Sequence, residues 1–402
     1  QSTEVISRIE AFMGTWTLVV HSFSSNWKEL CTLQVILTKE SSHTPNRYRH
    51  RLLLYFTDNM VTYDILRKRR SKSPLLHALI MEITGLKVGE LDILDGSPPC
   101  PPFSMSGTKK KGWNKEKTAY GMKQQNIEDL TWEMIRIAGE MKPKIIICEN
   151  VKGLTMDYAR DHLNRMVADF EALGYSTTYK VLNGIHFGVP QKRQRVFIVS
   201  VRDDVLDDIG MNWMLLSSLY PEPVDEEPTL EQAIGDLRFD NENSVEAHEL
   251  RETMKKSAKY KWLKRLPKNP DKVVSVGDDV VGPWYDKVIA HRKKWGKSIP
   301  EAKHSFYQSR RVPWHQASHT LSEQGLMTSL SVHLHVEEDR VYTTKEAKRI
   351  MTLPEDYVLT GTLNEKLARI GLMVAPFMMK YLAESIYEKV LKDYYEAHNS
   401  KN

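Results

Sequence analysis

Cysteine is nearly missing from this chain: Cys31, Cys100 and Cys148 are the three in 402 residues, and none stands at CxxC spacing. That excludes a disulfide framework and a structural zinc cluster, and leaves each thiol as a small buried hydrophobe or a reactive group. No apolar run reaches the roughly 20 residues that a bilayer-crossing helix needs. Residues Gln1 to Glu10 are polar and mixed in charge, unlike a signal peptide. The expected setting is the cytoplasm, with no membrane as partner. Internal repeats and low-complexity tracts are also missing. The excess of positive charge is only +5, which permits a polyanionic partner without requiring one.

What is present is an alternation of short apolar runs and longer segments of helical period. Thr17–Val20, Leu33–Leu37, Leu91–Leu94, Lys144–Cys148 and Arg195–Val201 read as buried strands. Between them, Asn126–Met141 repeats apolar residues at Ile127, Leu130, Met134, Ile137 and Met141, and Asp161–Leu173 does the same before Gly174, a helix-ending glycine. This alternation predicts an α/β fold with a mostly parallel, Rossmann-like sheet. From about Asp204 to His304 the chain turns polar and irregular, with a basic run at Lys255–Arg265, and predicts a smaller domain. The expected division is 1–203, 204–308, and a segment 309–402 that returns to the first domain and ends in a helix over Pro376–Tyr395.

The sharpest local signal is Asp95-Gly-Ser-Pro-Pro-Cys-Pro-Pro-Phe-Ser104, directly after a predicted strand. Prolines on both sides hold the backbone extended, which suits a nucleophile that must be placed accurately, at the strand end where open α/β sheets bind ligands. A bare Pro-Pro-Cys is more often a structural turn. Two further segments shift the balance. Ile147-Cys-Glu-Asn-Val151 puts Glu149 at a neighbouring strand end, and Gly188-Val-Pro-Gln-Lys-Arg-Gln-Arg195 puts Arg193 and Arg195 just before another strand. A thiol, a carboxylate and two guanidinium groups would then meet at one sheet edge.

In this order and spacing, Ser97-Pro-Pro-Cys100, Glu149-Asn-Val151 and Gln191-Lys-Arg-Gln-Arg195 resemble the central motifs of the DNA (cytosine-5)-methyltransferases of prokaryotes and phages. Ser309–Trp314, Ala317–Leu321, Thr343–Tyr357 and Ile370–Pro376 resemble the family's C-terminal motifs, so the likeness spans nearly all of the chain except roughly 204–304. The resemblance implies a methyltransferase fold using S-adenosylmethionine, with an irregular target-recognition domain in that gap. It implies that Cys100 attacks C6 of a flipped-out cytosine, that Glu149 bonds N3 and the exocyclic amine, that Arg195 holds the O2 side, and that Arg193 orients the thiolate. Phe23, Glu40, Asp64, Ile65, Pro99 and Val374 would hold the cofactor. Ser104, Lys109, Lys110, Lys111, Gln191, Lys261 and Arg265 would touch DNA, and the stretch Gly107–Lys123 would close over the base. Duplex DNA is the expected substrate, a cognate restriction endonuclease the expected partner, and a monomer the expected state.

Three positions depart from the family pattern. Phe23-Ser-Ser-Asn-Trp-Lys-Glu-Leu30 carries no glycine where the family has a glycine-rich cofactor loop, Leu372 replaces an asparagine, and Pro101 replaces a glutamine. Two other readings therefore stay open: a homologue that binds DNA with cofactor binding weakened or lost, and a cytosine-5 methyltransferase acting on RNA.

Overall fold

A computed structural model describes residues 7–11, 14–18, 35–38, 52–56, 88–98, 117–119, 122–124, 129–256, 260–275, 309–321 and 333–399. Two compact units emerge: one of Gln1–Leu182, Arg195–Pro221 and Glu384–Asn402, the other of Asn183–Gln194 and Glu222–Ala383.

The first unit is built on an eight-stranded sheet. Its strands are β1 (Ser7–Ala11), β2 (Gly14–Leu18), β3 (Val35–Thr38), β4 (Leu52–Phe56) and β5 (Ile93–Gly96). They continue, past the hairpin of β6 (Lys117–Ala119) and β7 (Met122–Gln124), with β8 (Ile145–Val151), β9 (Tyr175–Asn183) and, after β10 (Gln191–Lys192), β11 (Gln194–Arg202). The order across the sheet is β1-β2-β3-β4-β5-β8-β11-β9.

The α/β class stands, but the mostly parallel sheet expected from the sequence is corrected to a mixed one. β4–β5 and β5–β8 are parallel, whereas β1–β2, β2–β3, β3–β4 and β8–β11 are antiparallel. The reason lies in the connections. β1 and β2 are joined by two residues, enough for a hairpin and far too few for a parallel crossover. β5 and β8 are joined through α1 (Asp129–Met141), a helix long enough to make one.

The apolar period read in the sequence packs α1 and α2 (Arg160–Ala172) on one face of this sheet. Leu94, Ile146, Cys148, Val196 and Ile198 point into a cluster with Met134, Ala138, Leu163, Met166 and Phe170. Gly174 follows α2 with φ +85°, the left-handed conformation that a helix-ending glycine supplies. Strand alternation turns Asp95, Ile147, Glu149, Arg195 and Phe197 to the opposite face.

The last element of this unit, α10 (Lys392–Asn399), is tied to the sheet. Tyr395 donates its hydroxyl to Asp92, whose Oδ1 also takes the buried Lys144 ammonium at 2.8 Å. Residues 203–221 stay with the sheet as well. α3 (Asp203–Asp208) opens with the Asp203 amide on the Gly174 carbonyl, 3.0 Å, and the Tyr220 hydroxyl donates to the Phe197 carbonyl, 2.9 Å. The compact unit thus runs past the expected boundary at 203.

The second unit is more regular than the polar composition of 204–304 predicted. It contains α4 (Leu230–Ile234), α5 (Asn241–Lys256), α6 (Tyr260–Leu263), and, in the C-terminal part, α7 (Thr344–Ile350), α8 (Leu363–Leu372) and α9 (Pro376–Ile386). α5 buries Asn243, Ala247, Leu250 and Met254, a stripe too thin to stand out among its charges. Short strands β12 (Val274–Ser275), β13 (Arg310–Arg311) and β15 (His333–Leu334) form one small sheet, and β10 pairs with β14 (Ser318–His319).

Residues 309–383 belong to this unit through specific bonds. Leu230 N–H donates to Gln316 O, Glu231 N–H donates to Trp314 O, and Arg349 pairs with Asp236 at 2.6 Å. Asn243 Nδ2 reaches Glu346 Oε1 at 3.1 Å, while Glu346 is held by Arg340 at 2.7 and 2.9 Å.

Candidate active site

β8 ends on Glu149-Asn150-Val151, and β11 begins beside it with Arg195 opposite Val151 and Phe197 opposite Glu149. This antiparallel register puts Arg195 and Glu149 on one face, two positions apart along the ladder. The Arg195 Nε lies 3.1 Å from Glu149 Oε1, with 15% and 9% of the two side chains exposed. Burial pushes the Arg195 guanidinium down from its ordinary value, and the Glu149 charge opposes that shift. The pair is therefore a charged couple held in a largely dry place. It offers a carboxylate and guanidinium N–H groups to a planar polar ligand.

The loop that carries Cys100 leaves β5 on the adjacent strand. Pro98 is buried, and its carbonyl accepts a 3.1 Å hydrogen bond from Asn150 Nδ2. The Asn150 Oδ1 in turn accepts from the Val151 amide at 2.8 Å. Asn150, next in sequence to Glu149, thus braces the loop two residues before Cys100. The sequence alone does not mark Asn150 as a functional residue, although it stands in the Glu149-Asn-Val151 motif. Asp95, buried on β5 on the Glu149 face, is another such residue. Burial first, then the Glu149 charge, push the Asp95 carboxyl up to about 8. Its signal is an aspartate that closes the strand-forming segment Leu91-Asp-Ile-Leu-Asp95.

Two residues of the resemblance are buried inside the second unit. Arg193, implied to orient the thiolate, has a fully buried guanidinium that donates to the carbonyls of Leu321 (3.1 Å), Gly371 (3.0 Å) and Met373 (2.8 Å), joining the chain after β14 to the end of α8. Gln191 was expected to touch DNA. It is fully buried, with Oε1 accepting from the Leu321 amide at 3.1 Å and Nε2 against the Met351 sulfur. In each case most of the side-chain polar atoms are bonded inside the second unit, the Arg193 guanidinium and the Gln191 Oε1 to backbone groups and the Gln191 Nε2 to the Met351 sulfur.

Val374 is half-buried in the turn between α8 and α9. Arg265 is exposed just after α6; Lys261 lies on α6 and its side chain is outside the described residues. Cys100, Pro99, Phe23, Glu40, Asp64, Ile65, Ser104, Lys109, Lys110 and Lys111 also lie outside the described residues. Of Gly107–Lys123, expected as a flexible closing loop, the described part forms a hairpin, β6 against β7.

S-adenosylmethionine, the cofactor implied by the resemblance, can be tested against the sheet. β4, β5 and β8 run parallel and bring their carboxyl ends, at Phe56, Gly96 and Val151, to one edge. Open α/β sheets take nucleotide-bearing ligands there, so the edge fits.

The family model for C-5 cytosine-specific DNA methylase matches residues 62–388. Phe23 and Glu40 fall outside that match, and Cys100, Glu149 and Arg195 fall inside it. The Type II methyltransferase M.SacI of Streptomyces achromogenes is 26% identical over 338 residues, covering 78% of this chain and 76% of its own length. The Type II methyltransferase M.PspPI of Psychrobacter sp. (strain TA137) is 29% identical over 297 residues, covering 70% of this chain but only 60% of its own. A solved DNA modification methyltransferase encoded within an Escherichia coli prophage shows 17% identity and a TM-score of 0.47, covering 85% of this chain and 92% of that one.

Proposed function

The chain belongs to the C-5 cytosine-specific DNA methylase family, and from that premise we propose that it transfers a methyl group to C5 of a flipped-out cytosine in duplex DNA. The observation that carries this reading is the buried Glu149–Arg195 pair, 3.1 Å apart on one sheet face beside the strand that leads to Cys100. Cytosine C5 is unreactive until a nucleophile adds across C5–C6. The Cys100 thiolate supplies that addition at C6, Glu149 hydrogen-bonds N3 and the exocyclic amine as charge develops, and Arg195 holds O2. C5 of the resulting enamine then takes the methyl group, and loss of the C5 proton and of the thiolate restores the ring. S-adenosylmethionine, which the family uses, supplies an electrophilic methyl group when bound. Phe23, Glu40, Asp64, Ile65, Pro99 and Val374 are the residues proposed to hold it.

Arg265, with Ser104, Lys109, Lys110, Lys111 and Lys261, is proposed to contact the duplex, where phosphate attraction places a reading domain. The names of the relatives support a role beside a restriction endonuclease. A monomer acting in the cytoplasm, where such DNA lies, completes the proposal. Among the described residues no helix is long and apolar enough to cross a membrane.

The test is transfer of labelled methyl from S-adenosylmethionine to mixed-sequence duplex DNA and, in parallel, to tRNA. Label in DNA as 5-methylcytosine is expected. Label in tRNA alone supports the RNA reading, and DNA binding with no label in either supports the binding-only reading.

A further inference from the structure

Asp95 stands on β5 opposite Ile147 of β8 and, by strand alternation, on the same face as Glu149 and Arg195. It is 2% exposed, and its Oδ1 has no hydrogen-bond partner among the described residues. An ionised carboxylate does not persist in such a place, because a buried charge without a counter-ion is far costlier than a buried neutral acid. Among the described residues the cation on this face is Arg195, which is paired with Glu149. The groups around Asp95 can be named. Among the described residues Glu149 on β8 is the charged residue facing it, Ser97 follows just past the end of β5, and Tyr55 of β4 stands opposite in register. The Asp92–Lys144 pair lies just before β5 and β8.

We propose that Asp95 is a positioning residue for the methylation reaction, whose neutral carboxylic acid keeps the face it shares with the Glu149–Arg195 pair free of net charge. The proposal rests on the function given above. Negative charge must form on the Cys100 sulfur, five residues along the chain, and then spread over the ring of the attacked base. A second carboxylate on the same dry face opposes both events, since like charges repel strongly where water is excluded. Burial and the Glu149 charge hold the Asp95 carboxyl up to about 8, against a hydrogen bond from the Gly96 backbone, so the neutral form prevails at pH 7. Above that range the proton leaves to solvent and the face becomes anionic.

The experiment compares pH–rate profiles of wild type and Asp95→Asn, each normalised to its own rate at pH 7. With ionisation near pH 8, the wild-type rate at pH 9 should fall about tenfold relative to Asp95→Asn, whose amide cannot ionise. Parallel profiles overturn the proposal. A second readout needs no activity. Below the unfolded value of 3.8 the acid is neutral in both states, and between there and about 8 the folded protein keeps a proton that the unfolded chain has lost. Wild-type melting temperature should therefore drop relative to Asp95→Asn as pH rises to about 8, then level off. In a Glu149→Gln background the levelling point should move to lower pH. A constant melting gap overturns the proposal whatever the rates. The expected gap with no methyl transfer by wild type overturns the functional reading instead, so the two failures are separable. Should Asp95→Asn not fold, Asp95→Ser, smaller and equally neutral, serves in both measurements.

Discussion

Asn150 Nδ2 donates to the Pro98 carbonyl across 3.1 Å, joining the end of β8 to the start of the loop that holds Cys100. In the reaction proposed above, the bond couples two parts: the strand that presents Glu149 also holds the backbone two residues before Cys100, so base recognition and attack would share one support. Asn150→Ala should cost about 1 kcal/mol of stability, as for one buried hydrogen bond. Turnover should fall more than that implies, by about tenfold, because a misplaced nucleophile loses its alignment. Single-turnover methylation and urea unfolding of the same variant separate the two effects.

Glu149→Gln keeps a hydrogen-bonding amide but removes the charge that faces Arg195. Turnover should fall about a hundredfold, as for loss of a positioned acid. DNA binding should persist. Because Arg195 is left buried without its counter-charge, stability should also drop by about 3 kcal/mol. Equal turnover of wild type and variant would remove Glu149 from the reaction.

Arg193 yields a contrasting prediction, since its bonds end on the carbonyls of Leu321, Gly371 and Met373. Arg193→Ala strands those acceptors and should destabilise the protein by about 3 kcal/mol. Activity per folded molecule should change far less than in Glu149→Gln. A variant that stayed fully stable while losing its thiolate chemistry would restore the orienting role.

Glu346 sets an acid limit. The buried Arg340 guanidinium holds its carboxyl down to about 2 against an ordinary 4.5. Its contribution, on the order of 3 kcal/mol by linkage, is fully present above the unfolded value of 4.5 and is lost as pH falls towards about 2. His335, 3.7 Å from Glu346, is held down to about 4 by burial, so the unfolded chain takes its proton first and stability declines from pH 6.5 downwards. Chemical unfolding from pH 7 to pH 3 should show this loss, and Glu346→Gln should flatten its lower part.

How far the sequence could be read follows from what each pattern depends on. Leu91–Leu94, Lys144–Cys148 and Arg195–Val201 are apolar runs in a buried sheet, and each became a strand, β5, β8 and β11. Strand direction was not legible, because it depends on connection length and on pairing partners far apart in the chain. β9 went unread because Tyr175–Asn183 mixes polar and apolar residues with much of its surface exposed. That Glu149 and Arg195 meet was legible because both stand near strand ends at one sheet edge. The burial of Arg193 and Gln191 was not legible for a related reason. They sit in the same short motif, but the chain turns between Gly184 and Arg193, where the Gly184 amide meets the Arg193 carbonyl at 2.8 Å, and carries their side chains into the second unit. Asp95 is an aspartate near the end of a buried strand, and only its surroundings, burial and the Glu149 charge, push its carboxyl up.

The central claim is that Cys100 attacks cytosine in duplex DNA. Its most direct test is transfer of labelled methyl from S-adenosylmethionine to duplex DNA by wild type and Cys100→Ser, with DNA binding measured on both. The account predicts label as 5-methylcytosine with wild type alone, and DNA binding by both proteins. Wild-type turnover by Cys100→Ser would contradict it.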